Sequence, residues 1–259
     1  MSEWIRALEL TTVSSCAVNC SFCPQGVLRD AYRGPRTLRL EDFRAVVDRL
    51  PRDVVLHFSG FVEPWLNPDC TEMLRDALEA GRRVAVYTTT IGMRDPGKVR
   101  ALLDEHRALV DHVCLHLPDR EGNMPTEPHE SAIEVFRGFP GLEVMAMGSP
   151  SAAVQGRGLP RLPIWNPIDR AGNLTGNSLP RVRHVGPIRC SYTPTYEHNV
   201  MLPNGDVVLC CMDYGLKHPL GNLLTHAWED LDEARRRVSY ASFATSTTLC
   251  RNCHGAEPC

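Results

Sequence analysis

Residues 7–23 read ALELTTVSSCAVNCSFC, a β-rich run followed closely by three cysteines, Cys16, Cys20 and Cys23. In α/β folds the loop after a parallel strand is where active groups collect. Three thiolates in one loop can hold an iron-sulfur cluster and leave one iron open, whereas structural zinc normally takes four closed ligands. A zinc site with a distant fourth ligand is the competing interpretation. The stretch therefore predicts a metal-bearing loop at the carboxyl end of a first strand.

Strand patterns alternate with helix patterns along the first 148 residues. The β-rich runs are residues 7–13, 53–58, 83–88, 111–117 and 142–147. Between them, apolar residues recur with helical spacing, as at Phe43, Val46 and Val47. Strands separated by single helices imply right-handed crossovers and a parallel sheet, and both an open sheet and a barrel satisfy this pattern. A candidate sixth strand lies at residues 162–165.

The composition is that of an ordinary globular protein, with 259 residues of which 43% are hydrophobic and 23% charged. The net charge of -3 lacks the basic excess of a dedicated nucleic-acid binder. No apolar run is long enough to cross a membrane, and the start of the chain, with Glu3 and Arg6, does not read as a signal peptide. We therefore expect a cytoplasmic protein that binds neither membrane nor nucleic acid.

The eleven cysteines are unusual for a chain of this kind. Their odd number and the missing export signal argue against a disulfide framework and favour metal or redox use. Six of them fall in the last quarter of the chain: Cys190, Cys210, Cys211, Cys250, Cys253 and Cys259. Metal chemistry is therefore expected at both ends of the chain.

The last quarter also has its own structural pattern. A Gly-, Pro- and Arg-rich stretch at residues 149–189 marks a boundary. After it, Asn204-Gly205 separates two β-like runs, residues 199–202 and 206–210, and so predicts a hairpin. A helix is expected over residues 228–238.

With Phe22 before its last cysteine, the C-x3-C-x2-C triplet resembles the hallmark of the radical S-adenosylmethionine (radical SAM) enzymes. Residues 58–64, FSGFVEP, resemble the turn after the second strand that binds the methionyl amine of SAM, and residues 88–90 end the third strand where relatives contact SAM. A capped strand end would explain residues 88–90 equally well. The resemblance implies SAM contacts from Phe22, Ser59, Gly60, Glu63, Thr88, Thr89 and Thr90 and a four-iron four-sulfur cluster on Cys16, Cys20 and Cys23.

The later cysteines resemble the Twitch extension, a short form of the SPASM domain, whose pattern is C, G-x4-C, then C-x2-C. The resemblance assigns a second four-iron cluster to Cys190, Cys210, Cys250 and Cys253. Cys211 should point away from it, because neighbouring strand residues face opposite sides, and Cys259 is read as spare. A structural zinc site is the alternative.

The implied fold is α/β, a partial (β/α)6 TIM-like barrel over residues 1–180 with a small C-terminal hairpin plus helix extension over residues 181–259. The implied chemistry is reductive cleavage of SAM to a 5′-deoxyadenosyl radical that abstracts a substrate hydrogen. The auxiliary cluster would then accept an electron, which suits an oxidation. Reduced flavodoxin or ferredoxin is the expected electron donor.

A polar sugar or cyclitol is the first expected substrate class, because a relative of similar length and cluster placement is the aminocyclitol dehydrogenase of the butirosin pathway. Polar segments at residues 116–121 and 169–173 could reach such a substrate or SAM, although solvated turns would explain them too. Peptide maturation is an alternative, although the first cluster begins too early to leave room for an upstream peptide-recognition domain. Epimerisation with Cys114 as hydrogen donor, and a non-catalytic iron-sulfur or zinc protein, are the others.

Overall fold

The computed structural model describes residues 6–124, 129–149, 151–152, 159, 168–174, 179–244 and 247–259. The strands are β1 (Ala7–Leu10), β2 (Val55–Phe58), β3 (Val84–Thr88), β4 (Val110–His116), β5 (Leu142–Met145), β6 (Ile188–Cys190), β7 (His198–Met201), β8 (Asp206–Val208), β9 (Pro219–Asn222) and β10 (Ala256–Pro258). The helices are α1 (Gln25–Ala31), α2 (Leu40–Arg49), α3 (Cys70–Glu79), α4 (Pro96–Glu105), α5 (His129–Phe136) and α6 (Asp232–Phe243).

Eight strands form one sheet in the order β5-β4-β3-β2-β1-β7-β8-β9. Strands β1 to β5 pair in parallel, and β7 also pairs in parallel with β1, with Leu8 opposite Asn199. Strands β8 and β9 then continue the sheet in antiparallel pairing. The result is a mostly parallel open sheet of the partial-barrel kind, flanked by helices.

The two faces of the sheet differ in chemistry. One face carries apolar residues such as Leu8, Leu56 and Val86, which form a core with Phe43 of α2 and Met73 of α3. The other face carries polar and ionisable residues and lines a cavity: Glu9, His57, Tyr87, Cys114, His116, Glu143 and His198. Because successive strand residues point to opposite faces, the same strands build the core and the cavity wall.

The C-terminal extension packs against this sheet. The turn between β7 and β8 holds Gly205 at φ +82, with a built Cβ only 2.6 Å from Leu224 Cγ, so a side chain is excluded there. Helix α6 is fixed by the buried Arg235, which stacks 4.1 Å over the Trp228 ring and donates to Asn199 Oδ1 at 2.9 Å. A separate two-stranded sheet pairs β10 with β6 and sets Cys190 opposite Ala256.

Most of the expected elements are confirmed. All five β-rich runs contain strands, the Asn204-Gly205 turn joins β7 to β8, and helices α2, α3 and α4 carry the predicted apolar stripes. The C-terminal helix begins later and ends later than expected, because residues Glu229–Leu231 first form a separate 3-10 turn. Helix α1 and strands β6, β9 and β10 have no counterpart among the predicted elements.

The sixth parallel strand is formed by a later part of the chain than the sequence predicts. The candidate at residues 162–165 lies outside the described residues, and β7 takes the sixth parallel place beside β1. The extension therefore continues the sheet of the core, and the boundary between residues 180 and 181 stays a prediction. Within the described ranges, no helix has both the length and the apolar character to cross a membrane.

Candidate functional site

One large cavity, of about 950 Å³, lies against the polar face of the sheet. Its wall contains both groups of expected cluster ligands: Cys16, Cys20 and Cys23, and Cys190, Cys210, Cys250 and Cys253. All of these cysteines are free thiols. The two ends of the chain thus meet around a single space, as the carboxyl ends of parallel strands commonly do.

The first cysteine loop, residues 16–23, runs from β1 toward α1 and is held at several points. Asn19 adopts a left-handed φ of +55, which asparagine tolerates better than most residues. The backbone N–H of Ser21 donates to Asn123 O at 3.2 Å, and the N–H of Cys16 donates to Gln25 Oε1 at 3.3 Å. These contacts hold the loop at the rim of the cavity.

The sulfur of Cys23 has two side-chain neighbours able to donate hydrogen bonds. Gln25 Nε2 lies 3.2 Å from Cys23 Sγ, and the hydroxyl of Tyr214 lies 3.4 Å from it. Burial raises the pKa of the Cys16 thiol, and burial together with the neighbouring cysteines raises that of Cys20 to about 12. Metal binding at these sulfurs must therefore displace protons.

The turn after β2 packs against β1. Gly60 has a φ of +76, and a built Cβ would lie 2.7 Å from Thr11 Oγ1 and 2.8 Å from the Thr11 nitrogen. The hydroxyl of Ser59 and the N–H of Gly60 each donate to Glu9 Oε2 at 3.2 Å. Both residues line the cavity, so the turn presents its backbone to the enclosed space.

Glu63 links this turn to the end of β3. Its buried carboxylate accepts from the Thr88 hydroxyl at 2.7 Å, from the Thr89 N–H and hydroxyl at 2.6 Å, and from the Trp65 N–H at 3.2 Å. Burial raises the pKa of Glu63 to about 7, against the lowering effect of these four donors. Thr88 and Thr89 line the cavity, whereas the buried Thr90 hydroxyl has no partner within the described part of the chain.

An ion pair lies on the cavity wall between β1 and β7. His198 Nε2 is 3.0 Å from Glu9 Oε1, and the His57 ring stands 4.9 Å from the His198 ring. Burial acts to raise the pKa of Glu9, but the close contact and charge of His198 bring it down to about 2. Burial, with the charge of His198, lowers the pKa of His57 to about 3. Glu9 is therefore ionised and His57 neutral near pH 7.

The cysteines of the second group, Cys190, Cys250 and Cys253, are brought close together by the β6–β10 sheet and a 3-10 turn. The turn Leu249–Asn252 places Cys250 and Cys253 side by side, with the Cys253 N–H donating to Cys250 O at 3.1 Å. The N–H of Gly255 lies 3.4 Å from Cys253 Sγ. Burial raises the pKa of Cys253 to about 11 and that of Cys250 in the same direction. Cys190 joins them because β6 pairs with β10.

Cys210 and Cys211 have different surroundings. Burial raises the pKa of both thiols. The charges of Cys211, Cys250 and Cys253 also raise the pKa of Cys210, whereas for Cys211 the charge of Glu9 raises the pKa and that of Arg170 lowers it. Cys210 packs against the core that includes Cys250 and Cys253, whereas Cys211 packs against both that core and the smaller cluster that includes Tyr214. Cys259 is exposed, and Cys114 is a buried residue of the cavity wall whose pKa burial raises to about 12.

Phe22 and Arg170 both line the cavity and lie close to each other. Phe22 is buried against Met124 and Met147, and the Arg170 guanidinium lies 6.0 Å from its ring centroid. Arg170 has a left-handed φ of +51, and its buried Nε has no hydrogen-bond partner among the described residues. Asp119, from the polar segment after β4, accepts from the Asn123 N–H at 2.9 Å and so supports the first cysteine loop.

The residues present fit two iron-sulfur clusters. Such clusters need cysteine sulfurs that are shielded from water and that receive hydrogen bonds from nearby groups. Cys23 has Gln25 and Tyr214 as such neighbours, and Cys253 has the Gly255 N–H. In a four-iron cluster each cysteine binds a different iron. In the described part of the chain, no three His, Cys, Asp or Glu residues are placed to hold one metal ion.

Several residues of this site have no direct signal in the sequence. Glu9 and His57 lie within predicted strands, and His198 directly precedes the predicted run 199–202. A charged or polar residue within an apolar run is a signal of an inward polar face. Gln25 and Tyr214 had no signal, since Tyr214 and Cys23 are 191 positions apart.

Comparison with protein families gives two matches. Residues 10–119 match the radical SAM superfamily, and residues 190–254 match the iron-sulfur cluster-binding domain called SPASM. The probable dual-specificity RNA methyltransferase RlmN of Synechocystis sp. is 30% identical over 128 residues, which are 44% of this chain and 34% of that protein. The chain therefore matches about a third of the length of that relative.

Solved structures share the fold over almost the whole chain. BtrN in complex with AdoMet and 2-DOIA has a TM-score of 0.67 at 15% identity, covering 98% of this chain and 94% of that chain. The anSMEcpe structure with bound AdoMet has a TM-score of 0.62 at 16% identity, with coverages of 96% and 83%. Streptococcus suis SuiB bound to precursor peptide SuiA has a TM-score of 0.63 at 14% identity, with coverages of 99% and 72%. The matched domains imply a SAM-binding cluster and an auxiliary four-iron cluster.

Proposed function

Because the chain belongs to the radical SAM superfamily and carries an SPASM iron-sulfur cluster-binding domain, we propose that it cleaves SAM reductively and oxidises a polar small molecule at a hydroxyl-bearing carbon. The proposed substrate class is a sugar or cyclitol. The observation that supports this is that both cysteine groups line the same cavity of about 950 Å³. A substrate in that cavity would have both redox groups in the same enclosed space.

The proposed ligands follow from the family resemblance, and all of them except Thr90 line the cavity. The first cluster is assigned to Cys16, Cys20 and Cys23, and the auxiliary cluster to Cys190, Cys210, Cys250 and Cys253. SAM is assigned to the surface formed by Phe22, Ser59, Gly60, Glu63, Thr88, Thr89 and Thr90. When bound, these groups supply a 5′-deoxyadenosyl radical that removes a hydrogen atom and an auxiliary acceptor for one electron.

The chain's own part would be to bind and orient the substrate. Oxidation of a carbon that bears a hydroxyl to a carbonyl also releases the hydroxyl proton. The ionised Glu9 carboxylate, held by His198 at 3.0 Å, can accept a hydrogen bond from such a hydroxyl. The buried Arg170 Nε, which has no partner among the described residues, can donate one. The polar wall therefore suits a ligand with several hydroxyls.

Two parts of the proposal, the electron donor and the site of action, rest on the family alone. The electron donor is proposed to be reduced flavodoxin or ferredoxin, and the site of action the cytoplasm. A second candidate substrate is a peptide, since a solved structure of this fold holds a precursor peptide. Cys114 lines the cavity, so return of a hydrogen atom from its thiol, giving epimerisation, is a third outcome that product analysis would separate.

Anaerobic purification tests the cluster assignment directly. We expect about eight irons per chain, falling to about four in a Cys16→Ala, Cys20→Ala, Cys23→Ala variant and to about four in a Cys250→Ala, Cys253→Ala variant. The exposed Cys259→Ala is the matched control and should keep the full iron content. One zinc in place of the second set of irons would contradict the oxidation proposal.

Turnover tests the substrate class. The intact protein with SAM and dithionite should form 5′-deoxyadenosine, and members of a panel of sugars and cyclitols should increase that formation and gain a carbonyl. Increased formation with peptides alone would replace the sugar proposal with peptide modification. A product changed only in stereochemistry would indicate epimerisation, and intact SAM in every case would refute the radical reaction.

A further inference from the structure

The loop between β8 and β9 touches both ends of the cavity. It carries Cys210, assigned to the auxiliary cluster, and four residues later Tyr214, whose hydroxyl lies 3.4 Å from Cys23 Sγ in the first cysteine loop. The Tyr214 ring is buried, and its centroid lies 4.5 Å from that of Phe61 in the turn after β2. A side chain from the extension is therefore part of the wall around the first cluster's cysteines.

Hydrogen bonds fix the position of this loop. The buried Asp213 carboxylate accepts from the Lys217 N–H at 2.9 Å and from the His218 N–H at 2.8 Å. Asn173 Nδ2 donates to the carbonyl of Met212 at 2.8 Å. Tyr214 is thus held from the residues on both sides, and its ring has little freedom to turn away from Cys23.

The Tyr214 hydroxyl is suited to donate and the Cys23 sulfur to accept. A tyrosine phenol ordinarily ionises only near pH 10, so it carries a proton to donate at neutral pH. A cluster-bound cysteine is a thiolate and has no proton to give. Gln25 and Tyr214 are the two side-chain donors facing the sulfurs of Cys16, Cys20 and Cys23 in the described part of the chain.

Hydrogen bonds to cluster sulfurs are one of the protein's means of setting a reduction potential. A donor stabilises the reduced cluster more than the oxidised one, because the reduced cluster carries more negative charge. We propose that Tyr214 is a positioning residue that raises the reduction potential of the first cluster through its hydrogen bond to Cys23. Through it, the C-terminal extension would set the redox poise of the cluster at the other end of the chain. This inference rests on the first cluster of the proposed function.

A redox titration of the anaerobically purified protein tests the proposal. The first cluster is identified by the change that SAM makes to its electron paramagnetic resonance signal, and its midpoint potential is read for the wild type and Tyr214→Phe. We expect a more negative midpoint in Tyr214→Phe with an unchanged midpoint for the auxiliary cluster. Tyr240→Phe, which removes an exposed hydroxyl on α6, is the matched control and should leave both midpoints in place.

Replacement of Tyr214 by 3-fluorotyrosine keeps the ring and strengthens the donor, so it should move the midpoint in the positive direction. This second measurement decides the question if Tyr214→Phe fails to retain its iron. An unchanged midpoint in an iron-replete Tyr214→Phe, or an equal shift in Tyr240→Phe, would overturn the inference. Failure of the proposed function is a different result, since the Cys16, Cys20, Cys23 triple variant would then lose no iron.

Discussion

Buried charges at the cavity wall are the main feature at the scale of single residues. Glu9 lies in the middle of β1 and is 7% exposed, yet it is ionised because His198, Ser59 and the Gly60 N–H all face its carboxylate. Removing one partner of a buried pair commonly costs more than the pair itself contributes, because the other charge is left without compensation. Glu9 therefore makes the cavity wall polar and at the same time contributes to the stability of the folded protein.

The first prediction concerns acid stability. The pKa of Glu9 is about 2 in the folded protein against an ordinary 4.5. The folded value is the lower one, so this group's contribution, about 3 kcal/mol, is present above pH 4.5 and is lost as the pH falls toward 2. Glu9→Gln should lower the unfolding free energy at pH 7 by about 3 kcal/mol or more. It should also flatten the loss of stability below pH 4.5.

Urea unfolding at pH 7 and at several values between 5 and 3 would measure both effects. The exposed Glu233→Gln on α6 is a suitable control. Equal acid sensitivity in the wild type and Glu9→Gln would show that Glu9 is not the group responsible.

At the scale of elements, the turn after β2 joins three neighbours. Gly60 packs on β1, Glu63 receives the end of β3, and residues Pro64–Leu66 form a 3-10 turn that leads to α3. The left-handed φ and the close approach to Thr11 both require glycine at position 60.

The second prediction separates these two requirements. Gly60 and Gly138 have nearly the same φ, +76 and +72, but a Cβ at Gly138 would meet no atom within 4 Å. Gly138→Ala should cost about 1 kcal/mol of unfolding free energy through backbone strain alone. Gly60→Ala should cost about 3 kcal/mol or more, because the new methyl group also collides with Thr11. Similar losses in the two variants, measured by urea unfolding, would argue against the close contact.

The elements that could be predicted are those with a local signal. The five β-rich runs and the Asn204-Gly205 turn carry their pattern in adjacent residues, and all are confirmed. Strand β9 contains Pro219 and Gly221, which normally argue against a strand, and tertiary pairing with β8 overrides them. The ion pair of Glu9 with His198 joins residues that are 189 positions apart, and no local pattern in the sequence predicts it.

The cysteines were the part of the candidate site that the sequence predicted best. Their spacing alone indicated two groups, and the structure places both around one cavity. Strand alternation predicted that Cys210 and Cys211 face opposite sides, but β8 ends at Val208, so both residues lie in the loop after it. Their surroundings therefore depend on tertiary contacts that the spacing could not indicate.

For the whole molecule, the decisive feature is the pairing of β1 with β7. Strand β1 has β2 on one side and β7 on the other, so the extension covers an edge in the middle of the sheet. An uncovered strand edge offers unpaired N–H and C=O groups to other chains. The core and the extension therefore depend on each other.

The third prediction follows from that dependence. A fragment of residues 1–180 should aggregate or remain largely insoluble, because it exposes the inner edge of β1. A fragment of residues 1–224, which keeps β7, β8 and β9, should be markedly more soluble under the same reducing conditions. Size-exclusion chromatography and circular dichroism of the two fragments would test this. A monomeric fragment 1–180 with native-like spectra would show that the core folds alone.

The same pairing has a consequence for the time course of synthesis. Strand β1 and the first cysteine loop leave the ribosome early, but β7 and Tyr214 follow after about 190 further residues, which takes on the order of ten seconds or more. During that interval the first three cysteines have one wall of their cavity missing. The binding loop that is made first is thus completed only after most of the chain has been synthesised, and loading of its cluster belongs late in translation or after it.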